Sequence, residues 1–264
     1  MSNILFLYDN LLDIAALTES SEATGFPVEN IQHPFRSKVW RTEDATAGTA
    51  NVVIDHGAAK AVNCIALANY NWASAPGTLD LEFNATDAWE DPSPSETEAL
   101  TWAANPTANG NPGIIVKTFA SKSYQYNRLN VVYSPGATPT DWDLGRVFVG
   151  TYFEPAKNRL AGGIEQEFID ASYVSRTAEG QEHSDEIPIY REKRFSFILE
   201  TQAQWELFQK MFNSVGIFKD FFLAINYDNE PDEMTWYGKF ASIPEMSRIP
   251  VSYFKLDCAF RESR

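Results

Sequence analysis

Cysteine and histidine are scarce in this sequence. Two cysteines, Cys64 and Cys258, stand far apart, each inside an apolar strand pattern, and only three histidines occur in 264 residues. The cysteine spacing fits neither a disulfide framework nor a zinc site, so we expect two reduced, buried thiols and folding in a reducing compartment. No two histidines have a metal-ligand spacing such as H-E-x-x-H, which favours ordinary surface or turn roles for them.

Long apolar runs and common enzyme motifs are also missing. No stretch reaches the roughly 18–20 apolar residues that cross a bilayer, and the N-terminus lacks the basic start of a signal peptide. The sequence contains no P-loop, no G-x-G-x-x-G and no G-x-S-x-G. We therefore expect a soluble protein made in the cytoplasm, with no membrane insertion, no cofactor and no enzymatic activity.

Basic residues are outnumbered. The 21 Lys and Arg residues face 36 Asp and Glu residues, which gives a net charge of −15. Nucleic-acid binding needs clustered Lys and Arg against phosphates, so this balance argues against a nucleic-acid partner. Aromatic residues are plentiful at 14%, which suits β-rich cores and interaction surfaces alike.

Strand patterns dominate residues 1–155, which we interpret as one domain. The near-continuous apolar run 62–68 predicts a strand buried on both faces, and Leu79, Leu81 and Phe83 alternate as in a half-buried strand. Residues 84–113 are rich in Pro, Gly, Asn, Ser and acids, which predicts a long surface loop.

Residues 156–264 predict a second, α+β domain with one amphipathic helix on an antiparallel sheet. Thr201 and Gln204 have the form of a capping box at the start of this helix. Apolar residues then recur at helical spacing, and Gly216 supplies a C-terminal stop. The apolar stripe consists of Trp205, Phe208, Met211 and Phe212.

The order of motifs in the first domain resembles the discoidin-like (galactose-binding-like) family. These motifs are a Ser-Ser-Glu turn at 20–22, Pro-x-x-Asn-Ile at 27–31, a lone Trp40, an Ile-Asp-His-Gly corner at 54–57 and a late Tyr-x-Arg-Leu-x-Val strand at 126–131. The resemblance implies a jelly-roll β-sandwich that binds rather than catalyses. Such domains often hold a structural calcium near their N-terminal loops, and Asp9, Asn10 and Asp13 are the matching candidates here.

The second domain resembles tail proteins of tailed bacteriophages. The similarity rests on KRFSF at 193–197, the aromatic strand at 218–222 and WYGKF at 236–240. It implies a distal-tail-like structural component of a tail tip or baseplate. Such a protein would be assembled in the host cytoplasm, would form a homo-oligomeric ring through residues 156–264, and would contact tube and hub proteins in the virion.

Three aromatics at 218–222 leave two interpretations open. Phe218, Phe221 and Phe222 cannot all face one side of a strand, so the segment is either a core strand or an oligomer interface that covers a surplus aromatic face. We group Trp236 with them as a candidate interface residue.

An alternative function, in adhesion, is a carbohydrate-binding module that recognises cell-surface glycan. Its site would lie at the tip of the sandwich and combine an aromatic platform with polar groups for sugar hydroxyls. The candidate residues are Asn69, Tyr70, Trp72 and Arg128.

The acidic run between Asp80 and Glu98 has three interpretations. It is a solvated loop, a calcium site, or the carboxylate pair of a glycan hydrolase in which Asp87 and Glu90 would act. A Pro- and Ser-rich loop would hold catalytic carboxylates poorly, which favours the solvated loop.

Overall fold

Antiparallel strands make up most of the chain in the computed structural model, which describes residues 4–43, 49–71, 77–90, 94–100, 114–133, 141–155, 160–176, 181–185, 187, 189–225, 234–249 and 253–263. The first strands are β1 Ile4–Asn10, β2 Ala16–Glu19, β3 Trp40–Arg41, β4 Thr49–Ala68, β5 Gly77–Asn84, β6 Glu96–Ala99, β7 Ile114–Tyr133, β8 Asp143–Leu144 and β9 Val147–Phe153. The remaining strands are β10 Leu160–Ile169, β11 Tyr173–Arg176, β12 Glu182–Asp185, β13 Tyr190–Leu199, β14 Phe221–Ile225, β15 Thr235–Phe240, β16 Glu245–Ile249 and β17 Tyr253–Glu262. Short 3-10 helices span Leu11–Ile14 and Val28–Gln32, and the helix α1 spans Gln202–Val215. The predicted mainly β class is confirmed.

Two long strands build a sandwich in the first part of the chain. β4 and β7 pair along most of their length and bend together where the register shifts between Asp55 and Lys60. Gly57 lies at this bend with a φ of +71°, a conformation that favours glycine. Side chains from both halves of β4, such as Val52 and Leu67, meet in one apolar cluster, which we call the first core.

The second half of β4 is buried on both faces, as its apolar run predicted. Ile65 and Leu67 point into the first core, whereas Cys64, Ala66 and Ala68 point away from it. Successive side chains of a strand alternate between faces, so a strand covered on both sides must be apolar throughout. Something other than the first core must therefore cover the opposite face.

A second core forms around α1 and the strands after it. Thr201 accepts a hydrogen bond from the amide of Gln204 at 3.2 Å, and Gly216 ends the helix, so both predicted helix ends are confirmed. The helix buries Phe208, Met211 and Val215. They pack against alternating residues of β13 and β17 in the second core.

The first strand joins the two parts of the chain. β1 pairs with β14 on one side, from Ile4 opposite Ile225 to Leu7 opposite Phe222, and with β9 on the other. One 13-stranded sheet therefore runs through the described residues in the order β10-β13-β17-β15-β14-β1-β9-β4-β7-β5-β6, with β2 and β16 attached to it. The first core lies within residues 1–155, whereas the second core draws on residues after 156 together with Ile4 and Phe6 of β1 and Phe153 of β9. The predicted domain boundary at 155/156 stays a prediction.

A third cluster, the junction core, fills the space between the two units. It contains Leu5 and Leu7 of β1, Phe148 of β9, and Phe222 and Tyr237 from the second unit, together with the outward face of β4. This cluster explains why the second half of β4 is apolar on both faces.

The aromatic residues predicted at an oligomer interface are mostly interior. Phe221 faces the second core and Phe222 faces the junction core, each 1% exposed. Trp236 is 2% exposed in the second core. The surplus aromatic face is thus covered by the first unit of the same chain and not by a neighbouring copy. Only Phe218 keeps a mostly exposed side chain.

Both cysteines are free and buried, as predicted. Burial raises the pKa of each thiol, because the thiolate would be poorly solvated inside the protein. Within the described ranges, no helix is long and apolar enough to span a membrane.

Candidate functional site

The predicted sugar-binding residues are held in separate parts of the structure. Asn69 donates a hydrogen bond to the carbonyl of Arg36 at 2.7 Å, and Tyr70 is 4% exposed in the first core. Arg128 lies on the face of β7 away from that core, paired with Glu82 at 2.5 Å. Trp72 lies outside the described residues. The structure therefore does not join Asn69, Tyr70 and Arg128 into one surface.

The predicted calcium ligands lie at the end of β1, where two of the three are already engaged. The side-chain carbonyl of Asn10 accepts from the amides of Leu12 and Val149, at 3.3 and 2.9 Å. Asp13 forms a two-point ion pair with Arg146, at 2.6 and 2.7 Å. In the described part of the chain, no group of three or more Asp, Glu, His or Cys residues could hold a metal ion. The calcium site stays a prediction.

The acidic run between Asp80 and Glu98 is neutralised in part by basic residues of β7. Lys122 pairs with Glu96 and, at 3.0 Å, with Glu98. The hydrogen bond from Lys122, followed by one from Tyr124, lowers the pKa of Glu96. A glycosidase general acid requires the opposite shift, a raised pKa. These pairings favour a structural role for Glu96 and Glu98.

A cavity of about 570 Å³ opens where the two units meet, and we call it the junction pocket. Its first wall comes from the end of β1, the 3-10 helix after it, the turn near Phe35, and β9. Its second wall comes from the end of α1, the loop before β14, and β15. The lining residues are Leu7, Tyr8, Asp9, Asn10, Leu11, Asp13, Ile14, Gln32, Pro34, Phe35, Arg146, Phe148, Ser214, Phe218, Lys219, Asp220, Phe221, Phe222, Tyr237 and Lys239.

Polar contacts at the floor join the two walls and brace the first wall. Tyr237 of β15 donates its hydroxyl hydrogen bond to the carbonyl of Pro34 at 2.9 Å. Arg146 is 5% exposed and binds both Asp13 and the carbonyl of Gln32. Burial raises the pKa of Tyr237, so the hydroxyl keeps its proton and remains a donor. The pocket is thus a preformed cavity with a fixed base.

Large apolar side chains stand exposed around the pocket. Ile14 is 85% exposed, Phe35 is 58% exposed and Phe218 is 68% exposed. Exposed apolar groups beside a concave site are typical of binding surfaces, because a ligand covers them. The ring of Phe218 is positioned by the helix end, since an added Cβ at Gly216 would lie 2.7 Å from it.

Several charged groups in the pocket form no ion pair among the described residues. In the described residues, no hydrogen bond or ion pair engages the ammonium groups of Lys219 and Lys239. Asp9 is exposed at the end of β1. Burial raises the pKa of Asp220, and a hydrogen bond from the Ser263 hydroxyl and the nearby charge of Lys239 partly oppose this shift. The pocket therefore offers uncommitted donors and acceptors.

Two other surfaces are less suitable as sites. A cavity of about 360 Å³ on β13 and β17 is lined by Arg194 and Asp257, which are paired with Glu192 at 3.3 Å and Lys255 at 2.8 Å. The ring face of Trp89 is occupied by the Arg128 guanidinium, 4.7 Å from the ring centroid. Existing partners in both places compete with a ligand.

Comparisons with solved structures find similarity over about half of the chain. No protein-family model matches it, and a search of curated proteins finds no match. Chitosan-binding module 1 of a chitosanase/glucanase from Paenibacillus sp. IK-5 aligns over 55% of this chain and all of its own, with 19% identity and a TM-score of 0.42. The lectin domain of lectinolysin, in complex with Lewis B antigen, aligns over 53% of this chain and 95% of its own, with 17% identity and a TM-score of 0.40.

A fucose-binding module of Streptococcus pneumoniae gives a similar result. It aligns over 54% of this chain and 95% of its own, with 13% identity and a TM-score of 0.41. At such identities the likeness assigns neither a ligand nor a function to this chain. None of these three is a phage tail protein, so the tail-protein resemblance has no support from them and the ring, virion and tail-partner expectations stay predictions.

Sequence reasoning missed the junction pocket as a site, although it named several of its residues. Asp9, Asn10 and Asp13, considered as calcium ligands, line one wall, and Phe218, considered as an interface residue, lines the other. Arg146, Asp220 and Lys239 have no local motif that distinguishes them. Phe35 follows Pro34 in a turn with polar neighbours. Turns lie at the surface, so this position was the one local signal that the Phe35 side chain would be exposed.

Proposed function

We propose that this chain is a non-catalytic glycan-binding protein and that its sugar site is the junction pocket. The observation that carries the proposal is the pairing of exposed Phe35 and Phe218 with uncommitted charged groups in one preformed cavity. Cavities of roughly 300–1,000 Å³ suit small ligands, and the junction pocket lies within that range.

The chemistry of a sugar matches these two kinds of group. A pyranose ring has apolar C–H faces, which pack against aromatic rings, and hydroxyls, which both donate and accept hydrogen bonds. Phe35 and Phe218 supply the apolar contact, Asp9 and Asp220 supply acceptors, and Lys239 supplies a donor.

The rigid base of the pocket supports binding without a large rearrangement. The Tyr237 hydroxyl bond to Pro34 joins the two walls, and the Asp13–Arg146 pair braces the first wall in the free protein. A preformed site loses little conformational freedom when a ligand binds, which favours affinity.

A glycan array followed by calorimetric titration tests the proposal. We expect binding to a defined set of oligosaccharides, no release of reducing ends, and a loss of about tenfold in affinity for Phe218→Ala, because the ring contacts the ligand. Phe168→Ala is the matched control, since Phe168 is 66% exposed on β10 and does not line the pocket. An array without signal, or equal affinity of the Phe218→Ala variant, would exclude this site.

A further inference from the structure

Asp220 and Lys239 both line the junction pocket, where β14 begins and β15 ends. β14 and β15 pair with Phe221 opposite Gly238 and Phe222 opposite Tyr237. Asp220 directly precedes β14, and the same antiparallel register, extended by one residue beyond the last observed pair, would set it opposite Lys239. Side chains directly opposite each other in antiparallel strands lie about 4.5–5.5 Å apart at their Cβ atoms.

These two charged groups are close without forming an ion pair. Lys239 acts on Asp220 electrostatically, yet no ion pair or hydrogen bond joins them among the described residues. One carboxylate oxygen of Asp220 accepts from the hydroxyl of Ser263, which anchors the carboxylate in place. The second oxygen of Asp220 and the ammonium of Lys239 are left for a ligand in the pocket.

An adjacent acceptor and donor match two neighbouring hydroxyl groups. The carboxylate of Asp220 accepts a hydrogen bond from one hydroxyl, and the ammonium of Lys239 donates a hydrogen bond to the other hydroxyl oxygen. Charge-assisted hydrogen bonds of this kind are stronger than those between neutral groups. A vicinal diol would therefore bridge the gap between the two side chains.

The charge balance of the pocket favours a neutral ligand. An acidic sugar would meet Asp9 and Asp220 and the net charge of −15 of the chain, whereas an amino sugar would meet Lys219 and Lys239. A neutral sugar brings no charge next to the carboxylates of Asp9 and Asp220 or next to the ammonium groups of Lys219 and Lys239.

We propose that the junction pocket holds a neutral sugar by a vicinal diol between Asp220 and Lys239, with the ring of Phe218 against an apolar face of the sugar. This inference rests on the proposed glycan-binding function. It adds the ligand class and the two residues that select it.

The first test uses the unmodified protein. Neutral, acidic and amino-sugar oligosaccharides are titrated in parallel, and the methyl glycoside of the tightest neutral sugar is compared with derivatives O-methylated at single hydroxyls. We expect methylation of either of two adjacent hydroxyls to lower the affinity about tenfold to a hundredfold, the usual effect of a lost charge-assisted hydrogen bond.

Variants then assign the diol to its partners. Lys239→Met and Asp220→Asn are each expected to lower the affinity for the parent sugar by about the same factor. Each variant should also abolish the effect of methylating the one hydroxyl that its residue binds, while methylation of the other hydroxyl still lowers the affinity. Lys60→Met is the control, because Lys60 is exposed at the bend of β4 and does not line the pocket.

The outcomes separate the two proposals. Tightest binding of an acidic or amino sugar, affinity insensitive to hydroxyl methylation, or unchanged affinity of the Lys239→Met variant would overturn the diol inference while glycan binding stands. Absence of binding to every oligosaccharide would overturn the proposed function itself.

Discussion

Replacing Phe6 by alanine tests whether the two units form one cooperative structure. Phe6 lies in β1, belongs by sequence to the first unit, and is fully buried in the second core. Its ring contacts the rings of Phe153, Phe197, Phe208 and Phe221, at centroid distances of 5.8, 5.6, 6.2 and 6.3 Å.

The expected loss in the free energy of unfolding is about 4–5 kcal/mol. Phe→Ala substitutions in cores cost about 3–5 kcal/mol through lost transfer energy and the remaining cavity. The cost for Phe6→Ala should lie near the upper end of this range, because an aromatic pair adds about 0.5–1.5 kcal/mol beyond burial and the Phe6 ring has four aromatic partners. The surrounding strands are hydrogen-bonded on both sides of β1, so the cavity cannot collapse easily.

Urea unfolding followed by circular dichroism gives the free energy, and hydrogen exchange of peptides from β4 and β17 reports on each unit separately. We expect one transition at lower urea and faster exchange in both peptides, because β1 is shared. Phe168→Ala should change stability by less than about 0.5 kcal/mol, as expected for an exposed side chain. A loss below about 1 kcal/mol, or exchange altered only in β17, would refute the shared-strand argument.

Two further substitutions test other parts of the structure. Burial lowers the pKa of Lys193, whose ammonium lies 3.8 Å from the Trp236 ring centroid, to about 8 from 10.5. Between pH 8 and pH 10.5 the unfolded state therefore binds more protons than the folded state. The free energy of unfolding should rise with pH in this range by up to about 1.4 kcal/mol per pH unit. Lys193→Met should remove that rise when urea unfolding is measured at pH 8, 9 and 10. Equal pH slopes in both proteins would contradict this. Gly216→Ala should lower the free energy of unfolding by about 1–3 kcal/mol, measured by thermal unfolding, because Gly216 has a φ of +54°. The same substitution should weaken glycan binding, because the added Cβ displaces the ring of Phe218. Unchanged affinity would show that binding does not need the position of this ring.

Features with a local cause were predictable from the sequence. The helix at Gln202–Val215 follows from a cap, a 3.6-residue apolar period and a glycine stop. The burial of both faces in the second half of β4 follows from its unbroken apolar run. The buried, unpaired cysteines follow from their spacing and apolar neighbours.

The candidate site was not predictable in the same way. Phe35 and Phe218 are distant in sequence and meet at one pocket only because the two units pack together. No feature of the segments around Asp220 and Lys239 indicates a ligand contact, and both residues line the pocket because β14 pairs with β15. The register of two strands depends on which faces become buried and on the geometry of the turn that joins them, and the apolar period of one strand alone does not show either.

The sequence by itself determined the mainly β class and the one helix described, because hydrophobic period, capping and turn residues act within a few positions of one another. Only the tertiary structure decided that β1 is shared, that Phe221 and Phe222 face inward, and that a pocket lies between the units. These features arise where strands distant in sequence pair and bury each other's apolar faces, and that choice of partner is made by the packing of the whole chain.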